Sequence, residues 1–233
     1  MRQPAHGADA PSAGARVWGW FREIAIIAVA ALVLSLIIKT FFFQSFWIPS
    51  GSMHPTLLEG DRILVTKWRP DPLELRRGDV IVFKDPGGWL SGEETVPVTG
   101  VQKGVQDLLQ FVGLLPEDSG EHLVKRVIGL PGDTVECDSA DSQVKVNGVA
   151  LQEDYLAQGS QPCGAEFTIT VPADSLWVMG DNRDNSADSR YHMGLPGGGT
   201  IPMSSVVGTA FVTVWPIDHW GGIGNPLVDS GQA

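Results

Sequence analysis

The chain has 233 residues, of which 43% are hydrophobic, so it is long enough for one domain of ordinary size and an additional segment. Its net charge of −11 excludes a nucleic-acid-binding surface of the usual kind, because neutralising phosphates requires clustered lysine and arginine. The 28 glycines and 16 prolines indicate frequent turns, which favours a β-rich body over a helical bundle.

The N-terminal segment predicts a tail followed by a membrane anchor. Residues 1–16 are rich in alanine, glycine and proline and offer little to bury, so we predict a disordered tail. Residues 17–39 form an apolar run that is flanked by aromatic residues and closed by Lys39. As a helix, this segment with its aromatic flanks matches the roughly 30 Å hydrocarbon core of a bilayer. We therefore predict a single transmembrane helix.

Two alternatives to a permanent anchor are weaker. A cleaved signal peptide would need small residues after the run, but the chain has the aromatic segment 41–47 there. A buried core helix is seldom so uniformly apolar. Segment 41–47 itself is predicted either to extend the helix or to seat the domain among the lipid headgroups.

Charges around the apolar run predict its orientation. Arg2, Arg16 and Arg22 precede the hydrophobic centre, whereas Lys39 alone follows it closely. By the positive-inside rule, the N-terminus is therefore cytoplasmic and the rest of the chain is extracytoplasmic.

Residues 40–220 predict a domain of short strands separated by frequent turn signals. Segments 144–146 and 149–151, joined by an Asn-Gly turn, give the strongest hairpin signal. Residues 85–121 predict a long insertion that carries one short amphipathic helix, and residues 221–233 predict a frayed end. We therefore predict a mostly β, antiparallel domain behind a single N-terminal transmembrane helix. Further strands are predicted at 63–66, 80–83, 123–128, 167–171, 176–179 and 206–214.

The chain has two cysteines, Cys137 and Cys163, and both lie on the predicted outer side of the membrane. An even number of cysteines in an oxidising compartment is compatible with a disulfide bond. The alternative is that they are two unrelated small core residues. Their spacing does not match a Cys-x-x-Cys metal site, and no histidine pair has the His-Glu-x-x-His spacing.

A candidate nucleophile, Ser52, lies thirteen residues after Lys39 in a turn braced by glycine and proline. Its neighbour His54 would be the base of a Ser-His-Asp triad, but no Gly-x-Ser-x-Gly elbow supports that arrangement. Lys125 is the alternative base, because burial in its predicted strand would lower the lysine pKa from about 10.4 towards 8. The strand pattern alone leaves open whether Lys125 faces the core or the solvent.

Four segments occur in a characteristic order behind the predicted anchor, and the fourth is very specific. Together they closely resemble the bacterial type I signal peptidases, over most of residues 40–215. The resemblance implies a mostly β domain of two antiparallel sheets. It also implies a membrane-anchored serine endopeptidase that removes N-terminal signal peptides by a Ser/Lys dyad. The segments are 48–56 (IPSGSMHPT), 60–67 (GDRILVTK), 125–133 (KRVIGLPGD) and 180–190 (GDNRDNSADSR).

Carried over by position, the resemblance implies a role for each residue of the reaction centre. Ser52 would be the nucleophile and Lys125 its general base. The hydroxyl of Ser50 would join the Ser52 backbone N–H in an oxyanion hole, and Ser186 would orient the lysine. This chemistry requires no cofactor and no metal.

The resemblance also implies supporting and substrate-binding residues. Asp188 and Arg190 would form an ion pair near the site, and Gly180 would allow a close backbone approach. Signal peptides of the family carry small residues, typically alanine, at the first and third positions before the cut. Ile48 and Met53 would line the shallow apolar pockets that exclude larger side chains.

The implied partners are exported precursors with Ala-x-Ala-type signal peptides and the lipid bilayer, without nucleic acid. Nothing suggests an obligate dimer, so we expect a monomer. Two alternatives remain open. One is a peptidase of the same Ser/Lys group that is dedicated to one pilin or conjugation substrate. The other is an anchored β-domain that binds peptides or cell-wall components without catalysis, which the presence of both Ser52 and Lys125 disfavours.

Overall fold

The computed structural model describes residues 13–68, 74–90 and 122–233. Residues 1–12, which belong to the predicted tail, lie outside the described residues. So does most of the predicted insertion, including its amphipathic helix.

The N-terminal helix α1 spans Ala13–Phe41. It begins four residues before the predicted anchor, where alanine favours the helical conformation. Its segment Trp18–Ile37 is the one described helix that is long and apolar enough to cross a membrane. Twenty residues of helix measure about 30 Å, and this segment is not buried by the rest of the protein. The predicted N-terminal apolar helix is thus confirmed.

Among the described residues after α1, twelve strands pair antiparallel throughout, so the predicted mostly β, antiparallel fold is confirmed. Each predicted strand is present within two residues of its predicted bounds. The strands are β1 Phe43–Trp47, β2 Arg62–Thr66, β3 Val80–Lys84, β4 His122–Gly129, β5 Thr134–Cys137, β6 Lys145–Val146, β7 Val149–Ala150, β8 Phe167–Thr170, β9 Ser175–Met179, β10 Ile201–Pro202, β11 Val206–Trp215 and β12 Gly221–Gly222.

Eight of the described strands form the larger sheet, in the order β1-β2-β11-β3-β4-β9-β10 with β12 paired to β11. The smaller sheet has the order β7-β6-β5-β8. A buried cluster joins the two sheets, with Ile128 and Trp177 from the larger sheet and Val135 and Phe167 from the smaller. This packing encloses β4, which lies between β3 and β9 in the larger sheet.

One interpretation of the aromatic segment after α1 predicted that it extends the helix. In the structure it forms a strand instead. Strand β1 pairs with β2, and burial alternates along it. Phe46 is 1% exposed, whereas Trp47 beside it is 44% exposed. Pairing to β2 satisfies the backbone and buries one aromatic face, which a continued helix would leave without a packing partner.

The C-terminal residues are packed, although their glycine-rich sequence predicted a frayed end. They form β12 and a short helix, α2, at Pro226–Asp229. The Asn225 side chain caps α2 by accepting hydrogen bonds from the N–H groups of Leu227 and Val228. Leu227 is fully buried in the cluster between the sheets. Burial of this one leucine explains why a polar, glycine-containing segment is ordered.

Cys137 at the end of β5 and Cys163 before β8 are joined by a disulfide bond in the structure. Both lie in the buried cluster between the sheets, as a bonded pair rather than as two unrelated core residues. The bond ties the smaller sheet to the loop that precedes β8.

Candidate active site

Ser52 lies in a single 3₁₀ turn, Gly51–Met53, between β1 and β2. The two ends of this connection are held together, because the Ile48 N–H donates to Asp61 O and the Gly60 N–H donates to Ile48 O, both at 2.9 Å. Ser52 is 8% exposed, so the hydroxyl sits in a largely dry setting that is still open to a cleft. The loop thus holds a serine in one fixed place.

Lys125 projects from β4 to this serine. Its Nζ donates a hydrogen bond to Ser52 Oγ at 2.7 Å and another to Val124 O at 3.1 Å. The side chain is 3% exposed, and burial lowers the lysine pKa from 10.5 to about 8, although the carboxylates of Asp188 and Asp181 oppose the shift. An amine with this pKa is substantially neutral in mildly alkaline solution and can accept a proton from the serine.

Ser50 lies on the same turn, with its hydroxyl exposed to the cleft. Its Oγ donates to Ser52 Oγ across 3.4 Å, so the two serines are adjacent. A second hydroxyl at this distance from Ser52 Oγ can donate to a negatively charged oxygen that forms beside it.

Gly180 is placed where any larger residue would collide with the site. A Cβ atom at this position would lie 2.3 Å from Ser186 Oγ and 2.5 Å from the Ser52 carbonyl oxygen. Ser186 is 3% exposed, and its hydroxyl makes no hydrogen bond to any described residue, Lys125 included. The structure therefore brings Ser186 and Gly180 to Ser52 without joining Ser186 to the lysine.

The Asp188–Arg190 ion pair orders the turn that carries Gly180 and Ser186. Asp188 is fully buried, accepts the Gly180 N–H at 3.0 Å and accepts Arg190 Nε and Nη2 at 2.9 Å each. Arg190 also donates to the carbonyl oxygens of Cys163 and Arg183. Such a paired, fully hydrogen-bonded carboxylate fixes the backbone around it.

Asn182 lies in the 180–190 segment, and the sequence predicted no role for it. In the structure it contacts the Gly51–Met53 turn that carries Ser52. Its backbone N–H donates to Ser52 O, and its side-chain Nδ2 donates to Gly51 O, both at 3.1 Å. These two bonds fasten the 180–190 segment to the serine turn. An asparagine after a Gly-Asp pair is a weak signal by itself, so sequence reasoning missed it.

A buried ion pair between Arg126 and Asp181 was also missed. Arg126 Nε and Nη2 donate to the two oxygens of Asp181 at 2.8 and 2.6 Å, and Nη1 donates to Gly78 O at 2.7 Å. Thr56 Oγ1 donates to the same carboxylate, and the Tyr155 ring lies 4.2 Å from the guanidinium. The available signal was an arginine that directly precedes the apolar residues Val127 and Ile128 of a predicted strand, because a buried arginine requires an acidic partner.

Next to Ser52 and Lys125 the structure has a cleft of about 560 Å³. Ile48 and Met53, the predicted pocket residues, both line it and are 2% and 1% exposed. Most of the residues that line the cleft are apolar, so it offers a mainly apolar surface beside Ser52 and Lys125. The remaining lining residues are Phe46, Trp47, Pro49, Ser50, Trp89, Leu90, His122, Leu123, Val124, Asn185 and Ala187.

Neither His54 nor His219 takes the place of Lys125 beside the Ser52 hydroxyl. His54 Nε2 is buried without a hydrogen-bond partner among the described residues, and Ser52 Oγ is bonded to the lysine instead. His219 pairs with Asp61 at 2.7 Å, away from the serine hydroxyl. In the described ranges no group of three histidine, cysteine, aspartate or glutamate side chains could hold a metal ion.

Comparison with known proteins gives one family. The profile of signal peptidase, peptidase S26, matches residues 19–215. A probable signal peptidase I of Mycobacterium leprae is 41% identical over 257 aligned positions, which cover 99% of this chain and 87% of the relative. A signal peptidase I of Mycobacterium tuberculosis is 43% identical over 220 positions, which cover 86% of this chain and 74% of the relative.

A solved structure of a signal peptidase I from Enterococcus faecalis is 31% identical and covers 58% of this chain and 95% of that chain, with a TM-score of 0.37. That TM-score is too low to bear on the fold, and the family rests on the sequence matches. Extending over most of the chain, these matches show that the protein belongs to the signal peptidase family, peptidase S26, and is a serine peptidase.

Proposed function

We propose that this protein removes N-terminal signal peptides from exported precursors, with Ser52 as nucleophile and Lys125 as general base. The observation that carries the proposal is the 2.7 Å hydrogen bond between Lys125 Nζ and Ser52 Oγ. Its support is the burial that lowers the lysine pKa to about 8, since a lysine with its ordinary pKa could not act as a base near neutral pH.

In the first step, neutral Lys125 takes the proton of the Ser52 hydroxyl as Oγ attacks the scissile carbonyl carbon. Negative charge then develops on the carbonyl oxygen, and the Ser50 hydroxyl and the Ser52 N–H donate to it. When the tetrahedral intermediate collapses, the C–N bond breaks. The lysine ammonium gives its proton to the leaving amine, which is the new N-terminus of the exported protein.

In the second step, water replaces the amine. Lys125 is neutral again and takes a proton from the water, which attacks the acyl-enzyme ester at its carbonyl carbon. Collapse of this intermediate breaks the ester bond, returns the proton to Ser52 and releases the signal peptide with a free carboxylate. Each role is filled by a residue of this chain.

Two further residues are proposed to hold the base and the turn in place. Ser186, next to Gly180 and with an unbonded buried hydroxyl, would donate to or accept from the lysine amine during the proton transfer. The Asp188–Arg190 pair would keep this segment against Ser52. A Ser186→Ala variant should lower kcat and shift the pKa that is obtained from the pH dependence of the cleavage rate. If Ser186 only supported the fold, its replacement would leave that pKa unchanged.

We also propose that α1 anchors the protein in the membrane with its N-terminus in the cytoplasm. Support comes from the unburied apolar segment Trp18–Ile37 and from the arginines that precede its centre. In intact cells, protease should remove a tag at the C-terminus and leave one at the N-terminus.

On the outer side, Cys137 and Cys163 should react with a thiol reagent only after reduction. Reaction without reductant would contradict the disulfide.

The decisive experiment is cleavage of a precursor with an Ala-x-Ala site by the purified full-length protein in detergent micelles. Ser52→Ala and Lys125→Met should each reduce kcat by roughly 10³-fold or more while the thermal unfolding transition persists. Ser204→Ala and Lys145→Met are matched controls, since both residues lie away from the cleft, and they should cleave normally. Full activity of either dyad variant would refute the mechanism.

The same assay separates a general peptidase from one dedicated to a single partner. We expect a cleft with mostly apolar lining residues to select residue size at two positions rather than one whole sequence, which favours several precursors. We expect cleavage of unrelated precursors that share the Ala-x-Ala pattern. Cleavage of one precursor only would favour the dedicated peptidase.

A further inference from the structure

The wall of the cleft nearest the start of the insertion is made by Trp89 and Leu90. Both residues follow β3, outside the four segments that resemble the signal peptidases, and neither has a role in the reaction described above. They nevertheless share the cleft with Ser52 and Lys125. A side chain in this position can contact the peptide that the dyad cuts.

The backbone of this wall is fixed by Asp85. Its Oδ1 accepts the N–H groups of Gly87 at 2.9 Å and Trp89 at 3.1 Å, and its Oδ2 accepts the N–H of Leu90 at 3.2 Å. Burial raises the pKa of this carboxyl, but the backbone N–H donors outweigh burial and lower it below 3.8. The side chain is therefore ionised throughout the neutral range and holds the loop as a charged acceptor.

The indole of Trp89 is fixed as firmly as its backbone. One face stacks on the His192 ring, with centroids 4.2 Å apart and planes within 5°, and the Phe83 ring meets it edge-on at 5.8 Å. His192 Nδ1 is in turn hydrogen-bonded to Asp188 O at 2.8 Å. Trp89 is 8% exposed, so its indole has little room to move, and rotation would also break both ring contacts.

We propose that Trp89 is a specificity-determining residue that contacts an apolar side chain of the bound peptide. The contacted position differs from the two small residues of the Ala-x-Ala pair, which we expect to lie near Ile48 and Met53. A rigid apolar wall limits the size of the side chain beside it, and Leu90 and Leu123 make the surroundings apolar as well. This inference rests on the proposed peptidase function of the same cleft. His192 is a positioning residue, acting through the indole.

The test uses peptides derived from one cleaved precursor, with each position from five before to three after the cut replaced in turn by alanine, leucine, phenylalanine and aspartate. The peptides with different residues at one position are ranked by kcat/KM. Trp89→Phe, which keeps an aromatic ring, should change the kcat/KM ratios within this ranking by about tenfold at one position outside the Ala-x-Ala pair. Leu90→Trp, which fills the cleft from the half-buried neighbour, should narrow the choice at the same position or the one beside it. Trp177→Phe is the control, because Trp177 is fully buried in another cluster and does not line the cleft.

Two variants of His192 separate stacking from hydrogen bonding. His192→Phe conserves the stack on Trp89 and should give the wild-type ranking. His192→Asn conserves a polar group towards Asp188 O but removes the stack, and should shift the ranking in the direction of Trp89→Phe. Thermal unfolding of each variant shows that it is folded.

The outcomes separate this inference from the proposed function. If the wild-type protein does not cut the parent peptide, the proposed function fails. If it does, but folded Trp89→Phe and Leu90→Trp retain the wild-type ranking at every position, the inference is wrong. A uniform fall in kcat/KM at all positions would also overturn it, because it would mean that the wall only supports the fold.

Discussion

The proposed role of Lys125 as general base depends on its burial away from water. The residue is 3% exposed, and burial lowers its pKa to about 8 against the opposing pull of two carboxylates. The proposed mechanism requires its neutral form, so kcat/KM should increase with pH through a single ionisation near pH 8 and fall about tenfold per unit below it. A pH–rate profile with the full-length protein tests this expectation. A rate that is flat from pH 6 to pH 10 would contradict it.

The same lysine should cost the protein stability. Its pKa is near 8 in the folded state and near 10.5 when unfolded, so the unfolded chain binds more protons between these values. Stability therefore increases with pH across this window, by about 3 kcal/mol. Below pH 8 the penalty is fully present, and Lys125→Met should raise the free energy of unfolding at pH 7 by about 1–3 kcal/mol. Urea unfolding in detergent micelles measures the change, and a destabilised variant would contradict it.

Gly180 is a second residue of the site whose identity is constrained by its neighbours, because there is no space for a side chain at this position. Gly180→Ala would put a methyl group 2.5 Å from the carbonyl oxygen of Ser52, so the nucleophile turn must shift. A displacement of about 1 Å at a reaction centre costs roughly 10²-fold in rate, and we expect a loss of at least this size in kcat. Gly222→Ala is the control, because its nearest contact would be at 3.9 Å. Normal cleavage by Gly180→Ala would show that the turn is adaptable.

At the scale of elements, β4 contributes both the proposed base, Lys125, and a charged residue, Arg126, that stabilises the site. Lys125 reaches Ser52, and the next residue, Arg126, reaches Asp181 in the segment that holds the serine turn. One strand thus connects the nucleophile turn, β3 and the 180–190 segment. The position of the base depends on all three.

Arg126→Met should therefore be strongly destabilising, since it leaves the carboxylate of Asp181 buried without its partner. Breaking a buried pair on one side costs about 3–5 kcal/mol, whereas replacing both members by apolar residues costs much less. The double variant Arg126→Met/Asp181→Leu should thus be more stable than the single variant. Urea unfolding of both compares them. Equal stability of the two would mean that the pair is not coupled.

The elements also show where sequence patterns fail. The aromatic segment after the anchor could belong to a helix or a strand, and pairing with β2 decided for a strand at Phe43–Trp47. The strand Thr134–Cys137 has only two apolar residues and was not predicted, because its alternation is too short to recognise. The ten-residue strand Val206–Trp215 was predicted to within one residue, since it is long and rich in β-branched and aromatic residues.

At the scale of the whole molecule, the C-terminal segment holds the two sheets together. The Asn225 side chain donates to Arg77 O and to Asp79 Oδ1, at the start of β3. Gln232 receives a hydrogen bond from Arg77 and donates to Ala150 O in the smaller sheet. The end of the chain thus stabilises the same region of β3 whose Gly78 carbonyl accepts Arg126.

Leu227→Ala should lower the free energy of unfolding by about 2–5 kcal/mol, because this side chain is fully buried between the sheets. Val228→Ala is the neighbouring control, at 38% exposure, and should change stability by about 0.5 kcal/mol or less. Thermal unfolding in detergent micelles measures both. A Leu227→Ala protein as stable as wild type would mean that the end of the chain is not part of the core.

The sequence by itself determined the apolar helix, the antiparallel β body and the family, and it singled out Ser52 and Lys125 as candidate site residues. These follow from local patterns and from motifs, which a linear chain carries in full. Only the tertiary structure decided that Lys125 is dry and 2.7 Å from the serine, and that Arg126 pairs with Asp181. It also decided that Trp89 lines the cleft. Burial and contact depend on segments far apart in the chain. The lowered pKa of Lys125 and the wall that Trp89 forms in the cleft therefore arise only when the chain folds and those segments meet.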